Sequence, residues 1–327
     1  MKFENFTITE NDANRRVDRV VRKMFSSLPL SKIYSLLRTG KIRVNGKKTD
    51  KAYLLKVSDT LQVPSKIVNN ELENVSMRGS TPNRNFPKKS FKQEHKNFAQ
   101  AKPKNTSLPN LNVLYKDKDF LVLNKERNVL VHGRQSLDAI VKAEYAQAEN
   151  SSKTFQSSLS FTPGPLHRLD GGTSGIVVFS QSLAGAQNFS EALKQRKVLR
   201  FYLALLEGFF SGEKEIVSKI AEKPAKTKIR SLAYFKSKNL TLAEVQIFSG
   251  RKHQIRIHCS ENGFPLFGDN RFSKKNKRKS SSYFLHFYKM ELTEKILNLP
   301  MQIIATPPKA FQKILQGEWE KIHSNFF

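Results

Sequence analysis

A single cysteine, Cys259, stands in 327 residues, and a lone thiol has no partner within its own chain. Disulfide-stapled scaffolds are therefore excluded, and a reduced, cytoplasmic protein is the expectation. Long apolar runs are missing as well. No stretch reaches the length of a membrane span, no isolated amphipathic anchor stands out, and the opening Met1-Lys2-Phe3-Glu4-Asn5-Phe6 turns acidic and polar too early for a signal peptide. No membrane partner is expected. No segment repeats with a period of about 20 to 50 residues, which removes solenoids and propellers. Acidic residues are scarce beside basic ones: 28 Asp+Glu against 57 Lys+Arg leave a formal net charge of +29. A globular domain needs no such excess for solubility, and the field it makes attracts a polyanion. Release of condensed counterions makes nucleic acid the leading candidate. The length exceeds one typical core, so two domains are expected.

The first segment, 1 to 64, reads as a small basic module. Val17, Val20, Val21, Met24 and Phe25 follow an amphipathic helical period, with Arg15, Arg16, Arg19, Arg22 and Lys23 on or beside the polar side. A second short helix is predicted to start with Ser31 as its N-cap, to carry Ile33, Leu36 and Leu37, and to stop at Gly40. Alternating Lys41-Ile42-Arg43-Val44 and the Asn45-Gly46 pair signal a type I′ hairpin. Positive charge gathers at this second helix and hairpin, with Arg38, Lys41 and Arg43 as candidate phosphate contacts.

Residues 65 to 108 change texture. Asn, Ser, Pro and Lys dominate without apolar period, too little to offset ordering entropy, so a flexible basic linker is predicted. From 109 to 327 the pattern is that of a strand-rich α/β or α+β domain. Val113-Leu114-Tyr115 and Phe120 to Lys125 read as successive strands, and Leu183 to Lys197 as a helix with basic residues at its C-terminal end. A polar insert from about 149 to 160 is expected to be a surface loop. A second insert, 271 to 283, carries Lys274, Lys275, Lys277, Arg278 and Lys279 and reads as a basic loop.

The most informative string is His167-Arg168-Leu169-Asp170-Gly171-Gly172-Thr173-Ser174-Gly175, followed by the apolar run Ile176-Val177-Val178-Phe179. It puts a carboxylate on a glycine-rich turn at the edge of a strand, where it can face a ligand while the strand fixes its place. Two further strings follow in order, Arg200-Phe201-Tyr202-Leu203-Ala204-Leu205-Leu206-Glu207-Gly208 and Ser249-Gly250-Arg251-Lys252-His253-Gln254-Ile255-Arg256-Ile257-His258. His253 and His258 are poorly spaced for two metal ligands on one helical face, and no Cys or carboxylate completes a set, so no metal is expected.

Together these strings closely resemble the motifs of the RluA-type RNA pseudouridine synthases, most of all the RluC-type members that act on large-subunit ribosomal RNA. The segment from Leu37 to Gly46 resembles the ribosomal-protein-S4-like RNA-binding domain. The resemblance implies an α+β protein: a mixed, largely antiparallel-sheet catalytic domain preceded by a small S4-like α/β module. It implies an isomerase that converts uridine to pseudouridine in structured RNA, ribosomal RNA foremost and transfer RNA as the alternative, working as a monomer. The reaction breaks the bond from base nitrogen to sugar and rejoins the uracil through carbon, so no cofactor is implied. By the same resemblance Asp170 is the catalytic carboxylate, either as nucleophile or as the base that takes a sugar proton. Arg256 is implied to pair with it and keep it ionised, Tyr202 to stack on the uracil, Leu285 to pack over the flipped base, Arg168 to enter the space the base leaves, and Arg251 to meet phosphate. The chain departs from the family at Glu126-Arg127, where a Lys-Pro step is usual, and at Gly171-Gly172, where a charged residue is common. A non-catalytic RNA-binding assembly factor is the rival reading, although binding alone requires none of Asp170, Tyr202 and Arg256.

Overall fold

The computed structural model describes residues 2–70, 111–151, 158–273 and 283–315. They fall into two units, one formed by Met1–Pro109 with Ser152–Phe161, the other by Asn110–Ser151 with Thr162–Phe327.

In the first unit, strand β1 (Phe3–Thr7) is followed by helices α1 (Val17–Met24) and α2 (Leu30–Arg38), strands β2 (Arg43–Val44), β3 (Lys47–Lys48) and β4 (Thr60–Pro64), and helix α3 (65–70). The strands form one antiparallel sheet in the order β1-β4-β2-β3. Val17, Val20 and Val21 of α1 and Ile33, Leu36 and Leu37 of α2 are buried, as their spacing requires. Asn45 and Gly46 join β2 to β3 with φ of 52° and 76°, the paired left-handed geometry of a type I′ turn. Three details differ from expectation. The N-cap of α2 is Pro29, whose ring presets φ at −61°, so Ser31 lies inside the first turn and makes no cap bond. Ordered structure continues past 64, because Ile67 and Val68 of α3 pack against the core of this unit; the rest of the expected linker lies outside the described residues. The end of the insert 149 to 160 is not a solvated loop. Asp12, fully buried, draws it in, accepting bonds from Ser158 Oγ at 2.9 Å, the Leu159 amide at 2.7 Å and Ser160 Oγ at 2.6 Å. A buried carboxylate without such donors is costly, so this polar stretch is ordered by the charge it satisfies.

The second unit runs β5 (Val113–Lys116), β6 (Phe120–Lys125), α4 (Leu137–Ser151), β7 (Gly164–Pro165), β8 (Ser174–Ser180), α5 (Leu183–Lys194), β9 (Val198–Glu207), β10 (Glu213–Ile220), β11 (Lys223–Phe235), β12 (Leu240–Ile247), α6 (Gln254–Glu261), β13 (Leu285–Leu292), β14 (Gln302–Ile304) and α7 (Lys309–Leu315). One sheet takes them in the order β10-β11-β12-β9-β13-β8-β6-β5, with β14 beside β13 and β7 beside β8. Among the described residues every ladder is antiparallel except the short pairing of β8 with β13. Strand β8 is buried along its whole length, and Ile176, Val178, Phe120, Val122, Phe189 and Phe287 anchor the core around it. The mixed α+β architecture with a largely antiparallel sheet is the one expected. No helix among the described residues is long and apolar enough to cross a membrane.

The join of β8 and β13 is the tightest point of the fold. Gly175 has φ of 114°, and a Cβ there would lie 2.2 Å from the Phe287 carbonyl oxygen. Only glycine fits. Phe287 in turn stacks on Tyr202 of β9, centroids 4.7 Å apart, so the end of the Thr-Ser-Gly string sets the ring that faces the site.

Candidate active site

Asp170 sits in the connection between β7 and β8, closed by a bond from the Thr173 amide to the Asp170 carbonyl at 3.0 Å. The turn is anchored from behind by Lys125, the last residue of β6, which is 1% exposed. Its ammonium donates to the carbonyls of Val129 at 2.8 Å, Glu126 at 2.9 Å and Gly171 at 3.2 Å, so three backbone acceptors satisfy its three protons. The Asn128 amide also donates to the Gly171 carbonyl, at 2.8 Å. Burial pushes the Lys125 amine down to about 8, with Asp170 opposing the shift.

The glycine pair that departs from the family pattern has a local cause. A Cβ on Gly172 would meet the Tyr283 ring at 2.9 Å. The Tyr283 hydroxyl lies 3.3 Å from Thr173 Oγ1, and its ring carries the Arg256 guanidinium 4.2 Å from the centroid. The other departure is occupied too. Arg127 stacks 4.5 Å over Phe284 and donates to the Tyr283 carbonyl at 2.6 Å, fixing the start of β13.

The Asp170 carboxylate, 21% exposed, accepts from His253 Nδ1 at 2.7 Å on Oδ2 and has Arg256 Nη1 3.8 Å away. Because a carboxylate only accepts, the Nδ1 proton points to Asp170, and the 3.2 Å approach of Arg256 Nη1 to that nitrogen is proximity without a bond. His253 caps α6 in the left-handed region, φ 59°, which turns its imidazole back toward the carboxylate. Arg256 therefore reaches Asp170, but its principal partner is another residue. Its Nε and Nη2 bind Asp269 Oδ2 at 2.6 Å and Oδ1 at 2.8 Å, and one edge of a planar fork can hold one carboxylate in this way. Burial works against the Arg256 charge, yet the bonds from Asp269 more than offset it and raise the group above its ordinary value.

A cavity of about 230 Å³ opens over this centre, lined by Asp170, Tyr202, Arg256, Leu285, Arg168 and Arg251 among others. The residues singled out in the three strings thus converge. Tyr202 is 6% exposed, and burial pushes its phenol up to about 12, so it is a neutral ring at physiological pH. Phe287 covers one face of it, which leaves the other face or the edge for a ligand. Leu285 is 5% exposed, Arg168 is exposed, and Arg251 donates through Nε to the Pro224 carbonyl at 3.1 Å. Two histidines are structural. His167 Nε2 accepts from the Val178 amide at 3.1 Å, and burial with the nearby Arg200 charge pushes the ring down to about 3. His286 donates through Nε2 to the Ala305 carbonyl at 2.9 Å and accepts from Ser174 at Nδ1, also at 2.9 Å. Among the described residues no group of three His, Cys, Asp or Glu side chains gathers as for a metal ion. In the first unit Arg38, Lys41 and Arg43 are exposed, Arg43 being steadied by a 2.8 Å bond to the Gly40 carbonyl. The lysines of the insert 271 to 283 lie outside the described residues.

Residues 119–261 match the sequence model of the family described as RNA pseudouridylate synthase. Over that stretch the chain is similar to the family, and its three strings are similar to those of the RluA-type members. Its relatives include the ribosomal large subunit pseudouridine synthase C of Buchnera aphidicola from Acyrthosiphon pisum, 28% identical over 85% of this chain and 86% of the relative. The protein of the same name from Escherichia coli is 25% identical over 94% of each. Two solved structures are similar in fold to part of the chain. Human RNA pseudouridylate synthase domain containing 4 gives a TM-score of 0.50 at 20% identity, covering 62% of this chain and 91% of its own. Human RNA pseudouridylate synthase domain containing 1 gives 0.50 at 22%, covering 63% and 86%.

The Lys125 anchor makes the pseudouridine synthase sensitive to alkali. Its folded pKa is depressed, so burial of the charged form opposes folding below pH 8; that penalty shrinks as pH rises from about 8 toward the unfolded value near 10.4. Activity should move the other way, since the neutral amine has one donor fewer for the three carbonyls. Single-turnover rates should fall through an apparent pKa near 8, and Lys125→Met should be slow at every pH with this limb gone. An unchanged alkaline limb in the variant contradicts the assignment.

Proposed function

We propose that this protein converts specific uridines of large-subunit ribosomal RNA to pseudouridine. One observation carries the reading: among the described residues the cavity is lined by a single carboxylate, Asp170, and five cationic side chains, Arg168, Arg200, Arg251, Lys252 and Arg256. Such a lining suits a polyanion whose chemistry needs one carboxylate, and it lacks the second acid that most glycoside hydrolysis requires. The ribosomal target is supported by the names of the relatives. A base paired within RNA cannot reach a recessed carboxylate, so the target uridine must be extruded, with Arg168 placed to enter the gap, Leu285 and the free side of Tyr202 to hold the ring, and Arg251 to contact phosphate. Asp170 acts as nucleophile or as base.

The S4-like module is read as a phosphate-binding surface. Substituting Arg38, Lys41 and Arg43 together by Ala should lower the slope of log affinity against log salt by about 2 to 3, at about 0.7 to 0.9 for each phosphate no longer neutralised. Slopes measured on ribosomal and transfer RNA fragments check this, and equal slopes for variant and wild type would remove these three residues from the interface. Formation of pseudouridine by the purified protein in transcribed large-subunit RNA tests the reading as a whole. Product in transfer RNA alone would move the target, and product in neither RNA would favour the non-catalytic assembly factor.

A further inference from the structure

Of the cations lining the catalytic cavity that are not exposed, one has no partner among the described residues. Arg256 is held by Asp269 and Arg251 by the Pro224 carbonyl, while Arg168 and Lys252 are exposed to solvent. Arg200 differs. It stands two residues before Tyr202 on β9, so the pleat puts both on one face of the sheet, and both line the cavity with Asp170. Its backbone is fixed between Ile247 of β12 and Met290 of β13. Its side chain makes no hydrogen bond or ion pair with any described residue, and its Nε is buried without a partner. Its Nη1 lies beside Gly250, 3.4 Å from where a Cβ would stand. The charge reaches the rings on both sides, depressing His167 and opposing the rise of Tyr202. A half-desolvated guanidinium that no protein group satisfies is an expensive feature in a free enzyme. Asp170 does not relieve it, since its near partners are His253 and Arg256 and no bond or ion pair joins it to Arg200. The side chain lines the cavity in which the extruded nucleotide must lie.

We propose that Arg200 is a catalytic residue that stabilises the negative charge developing on a uracil carbonyl oxygen as the base leaves the sugar. The inference rests on the functional reading above. When the C1′–N1 bond breaks, its electron pair departs with the ring and spreads over N1 and the carbonyl oxygens. The ring then bonds to C1′ through C5, the C5 proton passes to solvent, and N1 takes up a proton, so atoms and charge balance with no oxidant or reductant. Both roles open to Asp170 share this departing anion. A fixed guanidinium whose bond strengthens as the charge grows favours the transition state over the bound substrate.

The test compares full-length wild type, Arg200→Met and Arg200→Lys on an RNA in which the wild type forms pseudouridine, transcribed with uridine or with 5-fluorouridine. Fluorine withdraws electrons and makes the ring a better leaving anion without altering any phosphate. On uridine RNA, Arg200→Met should lower the single-turnover rate about 10²-fold with KM changed by less than about threefold, and Arg200→Lys should recover part of the rate. On 5-fluorouridine RNA, followed by loss of N-linked 5-fluorouridine in nucleoside digests, the deficit should shrink about tenfold. An equal deficit on both RNAs, lying in KM and altering the salt dependence, would show that Arg200 grips phosphate and would overturn the proposal. So would a full rate in Arg200→Met. If the Met variant fails to fold, the Lys variant carries the same comparison. A wild type that makes no pseudouridine overturns the functional reading and this assignment together, whereas an active wild type beside an unimpaired variant overturns the assignment alone.

Discussion

Asp170→Asn should abolish isomerisation, lowering the rate by on the order of 10⁴-fold or more, which corresponds to about 5 kcal/mol of lost transition-state stabilisation. The amide keeps the size of the carboxylate and can still meet the His253 side chain, whose Nδ1 lies 2.7 Å from Oδ2. What it loses is the capacity to attack the nucleoside or to take its proton, and one of those is required in either mechanism. Affinity for RNA should stay within about threefold, because phosphate contacts dominate binding and Asp170 adds none. Tritium release from RNA labelled at uracil C5, measured beside a filter-binding titration, separates the two quantities. Release at the wild-type rate would take Asp170 out of the reaction.

The second large effect is expected at Arg256. This guanidinium is 7% exposed at its side chain, and its partner Asp269 is fully buried there, so Arg256→Ala strands a carboxylate inside the protein. Breaking a buried pair from one side costs about 3 to 5 kcal/mol, which lowers the melting temperature of a unit this size by roughly 10 °C. Activity should fall as well, because the same fork supplies the Nη1 that lies 3.8 Å from Asp170. Arg256→Lys should restore only part of either property, since an ammonium cannot hold Asp269 by two parallel bonds. Replacing both partners at once, Arg256→Met with Asp269→Leu, should recover most of the stability and none of the activity. A double variant that regains full turnover would show that Arg256 serves the fold alone.

These expectations rest on residues of unequal visibility in the amino-acid sequence. The helix of Val17, Val20 and Val21, the Asn45-Gly46 hairpin and the strand after Gly175 are local, and local period and turn chemistry are enough to find them. The convergence of Asp170, Tyr202 and Arg256 is legible because each sits in a string that resembles a known motif. Their partners are less so. Asp269 lies outside the three strings, and nothing in its spacing announces the bidentate hold on Arg256. His253 reads as a poor metal ligand; its role depends on a left-handed backbone at the start of α6, which no residue pattern encodes. Lys125 leaves a trace, a lysine closing a strand that opens with four apolar residues, and the fold explains it by three carbonyls that converge on its ammonium. Arg200 carries the opposite lesson, for it is conspicuous only when its surroundings are searched for a partner and none is found among the described residues. The stretch from Ser158 to Ser160 reads as solvated from its composition, yet the buried Asp12 gathers it.

The central claim is that this pseudouridine synthase acts on large-subunit ribosomal RNA through Asp170. Mapping pseudouridines across the ribosomal and transfer RNAs of cells with and without the gene tests it most directly. Particular positions of large-subunit RNA should lose the modification, regain it with the wild-type gene, and fail to regain it with Asp170→Asn. Retention of every position in the cells lacking the gene, or restoration by the Asp170→Asn gene, would contradict it.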